Sequence, residues 1–224
     1  MEEIKGYIVL ADNDGTIRDT NSVKDCCLND FCNVEFGKAI NSDVLPTELH
    51  RKMHGRPMAE IFVEIAKVVY ARIITLDEGQ AVTERLNEFI KDEYVGRKVY
   101  EGAEKFYRDL KAMGCPMFIL TGMEPDLVQA GLEHHGLGDV FEDILGAPKT
   151  KEENIKNILD KYPGYRILAM GDAMSEYKAT MAYEGTIFLA FDFENRAKRV
   201  FPEHVKVFTA YDEQVWSEIY SHLN

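Results

Sequence analysis

Short apolar runs punctuate the chain, and each ends in a polar or glycine-bearing turn. Residues 7–11 (YIVLA) stop at Asp12-Asn13-Asp14-Gly15, and residues 117–120 (MFIL) stop at Thr121-Gly122. Residues 166–170 (RILAM) stop at Gly171-Asp172, and residues 186–191 (TIFLAF) stop at Asp192. Runs of this length, rich in β-branched and apolar residues, predict buried strands with a polar group at each exit. Between them lie helical patterns at 103–113, 124–134, 152–161 and 175–183. The alternation predicts right-handed βαβ crossovers and an α/β fold: a Rossmann-like three-layer core whose parallel sheet is covered on both faces. In such sheets ligands bind outside the carboxyl ends of the strands.

The stretch from about residue 20 to residue 97 breaks the alternation. It offers helical patterns such as MAEIFVEIAKVVYARI and EGQAVTERLNEFIKDEY but no convincing strand. We therefore expect residues 1–18 and 98–224 to form the core domain and residues 19–97 an inserted α-helical cap. The polar and glycine-bearing edges of the insert suit a unit that moves against the core as a lid.

The composition narrows the partners. With 46% hydrophobic and 29% charged residues the chain can bury a core, so disorder is not expected. A formal charge of −13 argues against nucleic acid as a ligand, because such binding needs Lys and Arg to replace condensed counterions. A small anion can still bind in a locally positive pocket. No segment approaches the ~20 apolar residues of a membrane span, and the start lacks the layout of a signal peptide. Cys26, Cys27, Cys32 and Cys115 match no metal-binding spacing, so they receive no role, and a cytoplasmic location is expected.

The candidate chemistry lies at the strand exits. Asp12 and Asp14 leave the first strand, Gly15 permits a tight path, and a plain Asx turn would account for this pair on its own. The sheet, however, also brings Thr121 and Asp172 to the same edge. A hydroxyl and three carboxylates suit a hard cation, with Mg²⁺ favoured over Ca²⁺ if phosphate and water share its shell. Three acids would repel a phosphate, so a protein cation is needed. The loop Pro148-Lys149-Thr150-Lys151 opens a helix, and Lys151 is preferred over Lys149 as the residue that reaches in.

These residues resemble the haloacid dehalogenase superfamily of phosphatases, in the branch similar to phosphoglycolate phosphatases and β-phosphoglucomutases. Four motifs appear in order: Asp12-Asn13-Asp14-Gly15-Thr16-Ile17, Leu120-Thr121-Gly122, Lys151, and Gly171-Asp172-Ala173-Met174-Ser175-Glu176. The resemblance implies that Asp12 attacks phosphorus while Asp14 protonates the leaving oxygen and later activates water. It implies Mg²⁺ held by Asp12, the Asp14 main-chain carbonyl and Asp172, with Glu176 supporting the site, and phosphoryl oxygens held by Thr121, Gly122 and Lys151. Glu176 departs from the more usual Asp, and Asn13 from the more usual apolar residue. In the insert, His54-Gly55-Arg56-Pro57 resembles the loop through which capped relatives touch the leaving group, so Arg56 is a substrate-binding candidate; a plain helix-entry turn explains it as well.

The expected function is hydrolysis of a small phosphorylated metabolite. A phosphomutase of the β-phosphoglucomutase type, and a non-catalytic relative that binds a phosphorylated ligand, are the alternatives. The natural substrate and the oligomeric state are not specified by the sequence.

Overall fold

The computed structural model describes residue 4 and residues 6–41, 43–53, 56–146, 149–193 and 201–223. Its sheet has six strands, all parallel, and the four long apolar runs supply four of them: β1 (Tyr7–Ala11), β2 (Met117–Leu120), β4 (Arg166–Gly171) and β5 (Ile187–Phe191). Two short strands, β3 (Asp143–Leu145) and β6 (Val207–Phe208), complete the order β3-β2-β1-β4-β5-β6. β1 thus lies at the centre, paired in register with both β2 (Ala11 with Ile119) and β4 (Ala11 with Met170). That register sets Asp12, Thr121 and Asp172 one step beyond three adjacent strand ends.

Alternate strand residues feed two separate cores, as a two-residue side-chain period requires. Val9, Ala11, Met117, Ile119, Leu168 and Met170 belong to one, and Ile8, Leu10, Phe118, Leu120, Ile167 and Ala169 to the other. The second face is covered by α7 (Lys151–Lys161) through Ile155 and Ile158 and by α8 (Met174–Met181) through Ala179. The first face is covered by α5 (Ala103–Ala112), α6 (Pro125–His134) and α9 (Glu213–Leu223). The parallel α/β fold expected from the alternation is the fold observed.

Between β1 and α5 the chain is helical: α1 (Asn21–Phe36), α2 (Pro46–Lys52), α3 (Met58–Tyr70) and α4 (Leu76–Gly96). α3 and α4 bury an apolar stripe against each other and against α1, with Phe62, Ile65, Val69, Val82, Leu86 and Ile90 inside. α4 begins at a capping box in which Thr75 accepts from the Glu78 amide while the Glu78 carboxylate accepts from the Thr75 amide. Its other end packs against α6. The two connections between this segment and the rest of the chain meet at a bridge between Arg18 and Val99.

Candidate active site

Asp12 follows the last residue of β1, and its amide donates to the Met170 carbonyl at 2.9 Å, so the backbone of the central strand fixes its start. The carboxyl is buried, as are those of Asp14, Asp172 and Glu176. Thr150 caps α7 by accepting from the Glu153 amide, and this aims Lys151, the first residue of the helix, back over the sheet edge. The Lys151 ammonium lies 3.3 Å from Asp12 Oδ1 and pairs with Glu176 Oε1. Glu176 is held by Ser175 Oγ at 2.9 Å, while its Oε2 is buried with no hydrogen-bond partner among the described residues.

The loop after β1 folds back so that Gly15, at φ +80°, lies against Asn21 and Asp172; a Cβ there would collide with both. Asn21, the first residue of α1, donates to Asp172 Oδ2 at 3.0 Å and to the Asp14 carbonyl at 3.2 Å. Asp14 turns its own side chain to the helical segment. Its Oδ1 accepts from Thr20 Oγ1 at 2.6 Å, Tyr94 OH at 2.6 Å and Asn13 Nδ2 at 2.8 Å, and its Oδ2 pairs with Lys24 Nζ.

The electrostatics divide the two acids. Burial pushes the Asp12 carboxyl well above the usual carboxylate range; Lys151 opposes the rise, and the neighbouring Glu176, Asp172 and Asp14 add to it. Burial opposes ionisation of Asp14 too, but Lys24, Thr20 and Tyr94 overcome it and hold that carboxyl well below the range. Burial lowers the Lys151 ammonium, whereas Glu176 and Asp12 raise it further, so its net shift is upward and it stays charged. The four carboxyls of Asp12, Asp14, Asp172 and Glu176 against the two ammoniums of Lys151 and Lys24 leave the site short of positive charge.

That shortage tests the site for a metal. Asp12, Asp172 and the Asp14 carbonyl are all hard oxygen donors, and the nearby Glu176 keeps a buried Oε2 without a hydrogen-bond partner among the described residues, so the residues fit Mg²⁺ in kind. Among the described residues no group of three or more His, Cys, Asp or Glu side chains is already gathered around one ion position. Lys151 pairs with both Asp12 and Glu176, and Asn21 donates to Asp172.

Thr121 is buried at the end of β2, and its Oγ1 accepts from the Met123 amide at 3.0 Å, which leaves its own proton to donate. Gly122 is exposed beside it. Arg56 lies apart: its side chain is 63% exposed, its guanidinium is 3.9 Å from Glu60, and among the described residues it has no hydrogen bond or ion pair with the acidic cluster. The neighbouring His54 and Gly55, and Pro148 of the lysine loop, lie outside the described residues. Lys149 lines a separate cavity of about 490 Å³ with Phe118, Asp143, Leu145 and Asn154, to which none of the acidic cluster contributes.

Four residues in this pocket were not reached from the sequence: Thr20, Asn21, Lys24 and Tyr94. Thr20, Asn21 and Lys24 follow the Asp12–Gly15 turn closely, and the i, i+3 spacing of Asn21 and Lys24 at the start of a helix was a usable signal. Tyr94 carried none, since it lies 80 residues from its partner Asp14.

A family model described as haloacid dehalogenase-like hydrolase matches residues 8–180. The chain belongs to this family of hydrolases. No curated protein matches it. Among solved structures it is similar to a predicted phosphoglycolate phosphatase from Haemophilus somnus, at 18% identity and TM-score 0.70, covering 97% of this chain and 99% of that one. It is also similar to CbbY from Rhodobacter sphaeroides in complex with phosphate, at 14% identity and TM-score 0.71, covering 92% and 94%. The HAD-hydrolase YfnB from Bacillus subtilis bound to magnesium is a third, at 16% identity and TM-score 0.66, covering 95% and 98%. At these identities the likeness is one of fold. Among the described residues of this hydrolase no helix is long and apolar enough to cross a membrane.

Proposed function

We propose that the chain is a magnesium-dependent phosphatase that hydrolyses a small phosphomonoester through an aspartyl-phosphate on Asp12. The observation that carries this reading is the buried cluster at the end of β1, where the Lys151 ammonium meets both Asp12 and Glu176 and Asp172 lies close by. Such a cluster is costly to bury without a ligand of matching charge. The structures similar in fold that hold phosphate or magnesium agree with it.

In the first step Asp12 forms a bond to phosphorus and the ester P–O bond breaks, its electron pair staying on the leaving oxygen. Lys24 holds Asp14 as a carboxylate at rest, so Oδ2 must exchange Lys24 for a proton as the substrate binds; Asp14 then gives that proton to the leaving oxygen and returns to the carboxylate. In the second step Asp14 takes a proton from water, whose oxygen attacks phosphorus and breaks the bond to Asp12. Lys151 and Thr121 hold the phosphoryl oxygens as charge spreads over them. Asp12, the Asp14 carbonyl and Asp172 would hold Mg²⁺, with Glu176 behind; when bound it supplies the positive charge that the pocket lacks and keeps Asp12 ionised. We assign residues 19–97 to a cap over this site, with substrate selection in its α2–α3 turn, where Arg56 is a candidate contact. The four free cysteines fit a reducing cytoplasm.

The test is turnover of p-nitrophenyl phosphate and acetyl phosphate by the purified protein with Mg²⁺. Wild type should release phosphate and Asp12→Asn should not. Wild-type turnover that survives Asp12→Asn would contradict the assignment.

A further inference from the structure

Tyr94 belongs to the last turn of α4, yet its phenol serves the loop after β1. It is fully buried, donates to Asp14 Oδ1 at 2.6 Å and accepts from Asn13 Nδ2 at 2.9 Å. With Thr20 and Asn13 it gives Oδ1 three donors, all on short or rigid side chains. Among the described residues Oδ2 meets only Lys24 Nζ, the tip of a long flexible chain. One oxygen is therefore anchored, and the other can exchange its partner for a substrate atom.

Tyr94 is itself braced. The Arg18 guanidinium lies 5.1 Å from the centre of its ring and donates to the Tyr94 carbonyl, to Val95 O at 2.9 Å and to Arg97 O at 3.3 Å. Arg18 is entirely buried, and the space it fills exists because residue 131 on α6 is glycine, where a Cβ would collide with the guanidinium. The end of α4 is thus capped by a residue of the connecting segment, which ties its last turn to the loop bearing Asp14.

We propose that Tyr94 is a positioning residue: it fixes Asp14 so that Oδ2 faces the leaving oxygen, and Arg18 acts as its strut. This rests on the role given to Asp14 above. The helical segment then contributes part of the reaction geometry as well as a cover. In the step concerned the P–O bond breaks with its electron pair on the leaving oxygen, and the proton passes from Asp14 Oδ2 to that oxygen. Phenolate is a poor leaving group and needs this proton; 2,4-dinitrophenolate departs as a stable anion and does not.

The experiment measures leaving-group release in a single turnover, with enzyme and Mg²⁺ in excess, from phenyl phosphate and 2,4-dinitrophenyl phosphate. Tyr94→Phe removes one hydroxyl and should slow phenol release about 10-fold while dinitrophenol release stays within about 2-fold. Thr20→Val removes a second donor from the same oxygen and should show the same split, so it decides the matter if Tyr94→Phe does not fold. Equal slowing of both esters, or no change in either, would overturn the positioning role and leave the phosphatase assignment intact. Wild type that releases neither phenol nor dinitrophenol would overturn the phosphatase assignment, and this role with it.

Discussion

At the scale of single residues, the site is a balance of buried charges in which Lys151 is shared. It pairs with both Asp12 and Glu176 at rest, and in the proposed mechanism it meets the oxygens of the phosphoryl group. Lys151→Ala should lower phosphatase turnover by on the order of 10²-fold, measured with p-nitrophenyl phosphate, because a pre-oriented cation is lost from the developing charge. A smaller loss than that of Asp12→Asn is expected, since the nucleophile remains. The cysteines lie outside this chemistry. Burial pushes the thiols of Cys32 and Cys115 up to about 12 and about 11, whereas Cys26 is exposed. Iodoacetamide at about pH 8 should therefore mark Cys26 and spare the other two, as read by peptide mass spectrometry.

At the scale of elements, the strand-and-turn pattern carried the fold because a buried parallel strand must be a continuous apolar run, and four such runs were present. β3 and β6 escaped because they are three and two residues long, on opposite edges of the sheet, with exposed positions among them. α1 escaped because its buried positions include Asn21 and Cys32, which blur the apolar stripe. The same division applies to the site. Asp12, Thr121 and Asp172 were legible as strand exits, which register alone brings together. Lys24 and Tyr94 were not, because they come from helices whose placement over the sheet edge depends on packing. Arg18 shows the packing at its tightest. Alanine in a helix interior is favoured over glycine by about 1 kcal/mol where nothing opposes it. Gly131→Ala should instead destabilise the protein by about 1–3 kcal/mol in urea unfolding, because the new methyl meets the buried guanidinium.

At the scale of the whole molecule, a chain of formal charge −13 gathers a small positive focus at one end of a parallel sheet and surrounds it with acids. In the proposed function a dication offsets this excess of carboxylates. Mg²⁺ should therefore raise the unfolding midpoint of wild type, and Asp172→Asn should weaken that rise, a readout independent of turnover. The central claim is the covalent intermediate. Its most direct measurement is peptide mass spectrometry of enzyme mixed with acetyl phosphate and Mg²⁺ and quenched in acid. The account predicts that the mass of one phosphoryl group is added at Asp12 and that Asp12→Asn abolishes it. Turnover with no phosphorylated peptide, or with the group on another residue, would contradict it.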